Sequence, residues 1–182
     1  MACDFATVDT VLLRRYYLLF FIDITTREVF LGGITAHPTG AWATQAARNL
    51  FLRHGDRLAN TRALVRDRGS QFVAAFDEVF RTEGMKVLKT PVRTPVANPF
   101  AERWIGTLRR ELLDRTIIWN QSQLERLVID YTGHYNGHRP HRSLGQQPPL
   151  GPETTNVSAA PFRHATKTTR CNGLINEYRN AA

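Results

Sequence analysis

The chain has 182 residues, 42% of them apolar, and sets 24 Lys and Arg against 16 Asp and Glu, for a formal charge of +8 and a pI of about 10.2. That length suits one domain, or one domain with an appendage, and buries a core without disulfide or metal staples. The excess of base favours a polyanionic partner, nucleic acid first. Cys3 and Cys171 have no second Cys or His at zinc-ligand spacing and fit free thiols in a reducing compartment.

Residues 2–11 predict a first strand. Residues 16–24 are β-rich and almost wholly apolar, as expected of a strand buried on both faces. This run is too short to span a bilayer and Asp23 interrupts it, so no membrane partner and a cytoplasmic, nucleoid-associated protein are expected. After the polar turn 25–28, residues 29–34 predict a third strand, with Gly32-Gly33 as a bulge or close-approach point. His37-Pro38-Thr39 opens a helix whose face is Trp42, Ala43, Ala46, Ala47 and Leu50. A short strand over 63–66 ends at Asp67. Ser70 is expected to cap the next helix, and residues 86–89 predict a fifth strand. Three prolines and no periodicity make 90–99 a loop. Helices follow over about 100–115 and 122–135, the second with Leu124, Leu127, Val128, Tyr131 and Tyr135 on one face.

Beyond Pro148 the composition shifts to Pro, Thr, Asn and Ala. An irregular tail is expected there, with residues 173–179 docking as a short strand or helix. The order β-β-β-α-β-α-β-α-α predicts an α/β fold with a mixed sheet covered by helices. It divides the chain into a core over 1–149 and a tail over 150–182.

Three acids stand out by placement. Asp4 lies inside the first strand, Asp67 ends the fourth, and Glu102 lies in the first turn of the helix after the proline loop. In a mixed sheet of this order the first and fourth strands are neighbours at the centre, and a helix beside their ends brings Glu102 to the same spot. Each acid alone has a plain structural explanation: a strand or turn residue for Asp4, turn chemistry for Asp67, and a favourable helix N-terminus for Glu102. Together they suit hard divalent cations, because clustered carboxylates repel unless cations lie between them. Two such ions, about 3.5–4 Å apart, clamp the attacking and leaving oxygens of a phosphoryl displacement. Asp9 is the rival for the first position, but it is five residues from Asp4 and faces the other side of a regular strand. Asp23 reads as a turn residue.

The stretches "CDFAT", "VRDRGSQF", "NPFAERWIGTLRREL" and "YNGHRPHRSLGQQPP" resemble the integrase catalytic core of the D,D,E transposases. That group includes bacterial insertion-sequence transposases and retroviral integrases. The resemblance covers residues 2–149, and 34 residues separate Asp67 from Glu102, close to the family spacing. It implies an RNase H-like five-stranded mixed sheet flanked by helices, with a C-terminal helix and the irregular tail. It also implies two Mg²⁺ or Mn²⁺ ions on Asp4, Asp67 and Glu102, and DNA cleavage and strand transfer without a covalent enzyme intermediate. DNA is the implied partner, with a homo-oligomer expected and no small-molecule substrate. Carried over by position, Arg109 and Arg110 fall on the basic part of the helix after Glu102, and Ser70 and Gln71 on the polar residues after Asp67, as DNA-contacting residues. Arg103, one residue past Glu102, is expected to point elsewhere.

Relatives usually carry a DNA-binding region ahead of the core, whereas here Met1 stands three residues before Asp4. The first strand is therefore expected to fray at its start, leaving Asp4 the least rigid of the three acids. The segment 134–149, dense in His, Arg and Pro, suits either a DNA-contacting surface or a structural clasp. A zinc site on His134, His138 and His141 is not expected, because no Cys or acid nearby in the sequence completes a tetrahedral set. Two other functions compete with the integrase reading: a plain nuclease that cuts without joining, and a non-catalytic transposase remnant that binds DNA or dimerises.

Overall fold

Five strands pair into one mixed sheet: β1 (Ala2–Asp9), β2 (Arg15–Ile22), β3 (Val29–Thr35), β4 (Ala63–Arg66) and β5 (Lys86–Lys89), in the order β3-β2-β1-β4-β5. The computed structural model describes residues 1–91, 98–151 and 165–180. β1, β2 and β3 form an antiparallel meander, while β4 and β5 run parallel to β1. Helices α1 (Gly40–Leu58) and α2 (Ala74–Thr82) cover one face, and α3 (Pro99–Glu111) and α4 (Gln121–Gly137) cover the other.

β2 shows why its sequence is apolar from Tyr16 onward. Tyr16, Leu18, Phe20 and Ile22 pack with Trp104, Leu108, Leu124 and Tyr131 on the α3/α4 face, and Leu19 and Phe21 pack with Leu50, Phe76 and Phe80 on the other. Each large side chain so buried contributes roughly 1.5–3 kcal/mol. Phe20 meets the indole of Trp104 with ring centroids 4.2 Å apart, which seats α3 on the sheet. The bulge expected at Gly32-Gly33 is present: Leu19 pairs with Gly33 and Phe20 with Leu31, leaving Gly32 as the extra residue. A Cβ at Gly32 would come within 2.9 Å of both Leu19 and Phe21.

Four expectations are corrected. Ser70 does not cap α2: it is exposed, α2 begins at Ala74, and its N-cap Val73 makes no side-chain capping bond. The helix expected over 100–115 ends at Glu111 and continues as a 3₁₀ turn, Leu113–Arg115. The start of β1 is not frayed. Met1, Ala2 and Cys3 are buried, the Met1 amino group donates to Ala63 O at 2.7 Å, and Val65 N donates to Met1 O at 2.9 Å. Finally, the tail is not irregular over 165–180, where a docked strand or helix was expected only over 173–179. β6 (Ala165–Arg170) and β7 (Ile175–Asn180) form an antiparallel hairpin, turned by Cys171, Asn172 and Gly173 at positive φ. The hairpin docks on α4 through Arg170–Asp130 and Cys171 N to Asp130, and through His134 to Glu177 at 2.9 Å. Part of the proline loop expected over 90–99, residues 92–97, lies outside the described residues.

Candidate active site

Strand parity decides which face Asp4 takes. Ala2, Ala6 and Val8 pack in the α3/α4 core, and Asp4 shares their side of β1. Asp9, on the opposite parity, is exposed and spent on an ion pair with Arg15 at 2.8 Å. The parallel register sets Ala2 opposite Val65, which carries Asp4 to the level of Asp67 just beyond the end of β4. Adjacent strands run about 4.7–4.9 Å apart, so the two acids come from neighbouring backbones.

Past Val65 the edge of β1 has lost its strand partner, and its next carbonyls need donors. Alternate carbonyls of a strand point to the same side. Met1 O takes Val65 N, Cys3 O takes Asn98 Nδ2 at 3.2 Å, and Thr7 O takes Arg109 Nη2 at 2.8 Å. Helix α3 thus closes the strand edge that β4 leaves open. Asn98 is also the N-cap of α3, its Oδ1 accepting from Ala101 N, with Pro99 in the first helical turn. One buried amide therefore fixes both the start of α3 and its distance from the backbone next to Asp4. Glu102 follows in that first turn, exposed, its N–H donating to Asn98 O.

Asp67 has its own support. Its Oδ1 accepts from Gly69 N at 3.0 Å, and its carbonyl accepts from Arg66 Nη1 at 2.7 Å. Arg66 is only 2% exposed and held by both carboxylate oxygens of Asp77 in α2, each at 2.7 Å. The Gln71 amide folds back over Gly69, 2.4 Å from where a Cβ would stand.

Burial pushes the Asp4 carboxyl up to about 6; the Phe5 N–H, 2.7 Å from Oδ1, offsets part of this, and the charges of Asp67 and Glu102 add to the rise. The three acids therefore share one electrostatic field. Among the described residues no three His, Cys, Asp or Glu side chains already stand in a metal-holding arrangement, so they do not form a closed cage. The donor set is all oxygen, and a half-buried carboxyl within electrostatic reach of two other acids suits a hard divalent cation that brings water or phosphate ligands of its own.

Of the other residues expected at the site, Ser70 and Arg110 are exposed and Gln71 is half-buried beside Gly69. Arg109 is half-buried, bound to Thr7 O and within electrostatic reach of Asp9. Asn98, Arg66 and Asp77 support the site without having been expected there from sequence. Asn98 was visible as a turn residue before Pro99, but its partner at Cys3 lies 95 positions away. His134 and His138 do face an acid, Glu177, which the sequence places 43 positions from His134.

The sheet order and the placement of its helices make this an RNase H-like α/β domain. The HTLV-2 integrase catalytic core domain in complex with magnesium (trimeric form) superposes with a TM-score of 0.59 at 17% identity, covering 80% of this chain and 89% of that one. The catalytic domain of Mos1 mariner transposase gives a TM-score of 0.56 at 14% identity, covering 72% and 68%. A family model described as the integrase core domain matches residues 83–149. The chain is 27% identical over 137 residues to the uncharacterized 39.2 kDa protein of insertion element IS476 from Xanthomonas euvesicatoria. It is 24% identical over 168 residues to transposase InsD for insertion element IS2D of Escherichia coli strain K12. These matches take in 75% and 88% of this chain, which spans 38% and 50% of the length of those relatives. Residues 83–149 are thus similar to an integrase core domain, and the chain is similar at 24–27% identity to proteins of bacterial insertion elements. No helix among the described residues is long and apolar enough to cross a membrane.

Proposed function

We propose that this chain is the core of a D,D,E polynucleotidyl transferase, cleaving DNA phosphodiesters and joining strands in DNA integration and recombination. The observation that carries the reading is the shared field of Asp4, Asp67 and Glu102, with the Asp4 carboxyl raised by burial and by the other two acids. Asp4, Asp67 and Glu102 would hold two Mg²⁺ or Mn²⁺ ions. Bound there, the metal would activate the attacking hydroxyl and neutralise charge at the leaving oxygen.

The chain's own residues bind and orient. Asn98 holds Glu102 against β1, and Arg66 holds the Asp67 backbone. Arg110 is exposed toward solvent, and Arg109, Ser70 and Gln71 flank the acids in sequence, so these four would position the phosphodiester backbone. A homo-oligomer fits strand transfer, which handles two DNA segments at once.

The test is Mn²⁺-dependent nicking and strand transfer on oligonucleotides, comparing the wild type with Glu102→Gln. Nicking and joining by the wild type, both lost in Glu102→Gln, is the expected result. Nicking without joining would support a plain nuclease. DNA binding with neither activity would support a DNA-binding or dimerisation module. Arg109→Ala is expected to weaken binding to all sequences alike; selective loss for one sequence would show base reading.

A further inference from the structure

A second basic surface lies on a different stripe of α3. Arg103, Thr107 and Arg110 recur at i, i+4 and i+7, about one-quarter turn around the helix from Glu102 and Arg109. They form one wall of a cleft of about 510 Å³. The other wall is the end of α4 at Tyr135 and the turn that follows it, with Arg139, His141 and Arg142.

This turn is built rather than loose. His141 pairs with Gln147 across an isolated bridge, its carbonyl accepts from the N–H groups of Leu144 and Gln146, and Gly145 and Gln146 take positive φ to close it. Arg139 is committed to the Glu111 carboxylate, with contacts at 2.7, 3.0 and 3.1 Å. Arg103, Arg110 and Arg142 are exposed, and among the described residues none has a carboxylate at ion-pair distance. Arg110 Nη2 donates to the Thr107 hydroxyl at 3.3 Å. Three like charges facing one cleft repel one another, which an anion between them would relieve.

His141 is a second, independent sign of a ligand. It is 8% exposed, packs edge-on against Tyr135 with centroids 4.6 Å apart, and hydrogen-bonds to the Tyr135 backbone. Among the described residues its buried Nε2 has no hydrogen-bond partner. Buried polar atoms are rarely left so without a reason.

We propose that this cleft is a phosphate-binding site that grips the DNA backbone on the stripe of α3 next to that of Glu102, with Arg103, Arg110 and Arg142 as ion partners and His141 Nε2 as the buried hydrogen-bond partner. The proposal rests on DNA being the substrate and adds where a second stretch of its backbone is held. Burial, then the charges of Arg139 and Arg27, hold the His141 imidazole below its usual range, against the Tyr135 backbone bond and the charge of Glu111, which raise it. A phosphate held by Arg103, Arg110 and Arg142 brings negative charge beside the ring and favours its charged form, so a proton from solvent enters Nε2 and the imidazolium donates to a phosphate oxygen.

The experiment measures binding of the full chain to fluorescent duplex DNA by anisotropy, in EDTA, over a range of salt and between about pH 6 and about pH 8. The double variant Arg103→Ala/Arg142→Ala changes only exposed side chains, and a thermal melt verifies its fold. It is expected to flatten the log affinity–log salt slope by about two units, equally for unrelated sequences. Wild-type binding is expected to tighten toward the lower pH, and His141→Gln to lose that dependence. An unchanged slope in the double variant, with salt-dependent binding by the wild type, would overturn the cleft while leaving the DNA reading intact. Absence of any salt-dependent binding by the wild type would overturn both. A pH-independent wild-type affinity would overturn the role given to His141.

Discussion

Asp4→Asn is expected to stabilise the metal-free protein at neutral pH, although it removes a residue placed at the proposed active site. Asparagine has nearly the same shape, and its Oδ1 can keep the 2.7 Å bond from Phe5 N. What disappears is a charge that burial disfavours and that Asp67 and Glu102 repel. A carboxyl raised from 3.8 to about 6 in the folded protein binds its proton more tightly there than in the unfolded chain. The folded state is thus favoured at low pH, and that advantage is lost as pH rises from about 4 to about 6, where the folded carboxyl ionises. At about 1.4 kcal/mol for each pH unit, the ionised Asp4 costs up to about 3 kcal/mol above pH 6. Urea unfolding in EDTA at about pH 7.5 should show Asp4→Asn more stable than wild type by up to this amount, and the gap should close near pH 4. Excess Mn²⁺ should reverse the order, because the wild type gains a ligand that the variant binds poorly. A variant no more stable than wild type at pH 7.5 in EDTA, or a gap that persists on acidification, would refute the electrostatic reasoning.

Asn98→Ala removes an N-cap and a buried bond to Cys3 O, and should cost about 1–3 kcal/mol in urea unfolding. It should also reduce strand-transfer activity under conditions where the fold is intact; full activity would show that Glu102 is positioned by other contacts. Asp77→Asn leaves the Arg66 guanidinium buried without its charge partner, and should destabilise by about 3–5 kcal/mol, read as a lowered urea midpoint. A loss under about 1 kcal/mol would mean that Arg66 finds water or another acceptor.

The fold was legible where pattern carries geometry. The apolar run of β2 announced a strand buried on both faces, Gly32-Gly33 announced the bulge, and the stripes on α1 and α4 announced their core faces. Parity along β1 separated Asp4 from Asp9 before any contact was known, and the structure places Asp9 in an exposed ion pair. The hairpin of β6 and β7 was hidden because its strands are polar and carry little apolar alternation. They hold through ion pairs to α4 and a turn whose left-handed residues include Cys171, not the usual Asn-Gly pair alone. The cap expected at Ser70 failed because the chain after Asp67 is drawn into a turn around Gly69, so that α2 starts four residues later.

What the sequence determined by itself is local: the identity and order of the elements from β1 to α4, the core face of the strongly patterned ones, and the three acids together with the elements that carry them. Those properties follow from backbone periodicity, and neighbouring residues suffice to express them. Only the tertiary structure decided how the acids are supported. A strand edge that loses its partner beyond Val65 must satisfy its carbonyls, and the donors come from Asn98 and Arg109, 95 and 102 positions away. The same holds for the buried start of β1, tied to Ala63 and Val65, and for Glu177 between two histidines. Hydrogen-bond satisfaction is a property of the folded whole: which donor answers a buried acceptor depends on which elements pack together, and no window of sequence contains both.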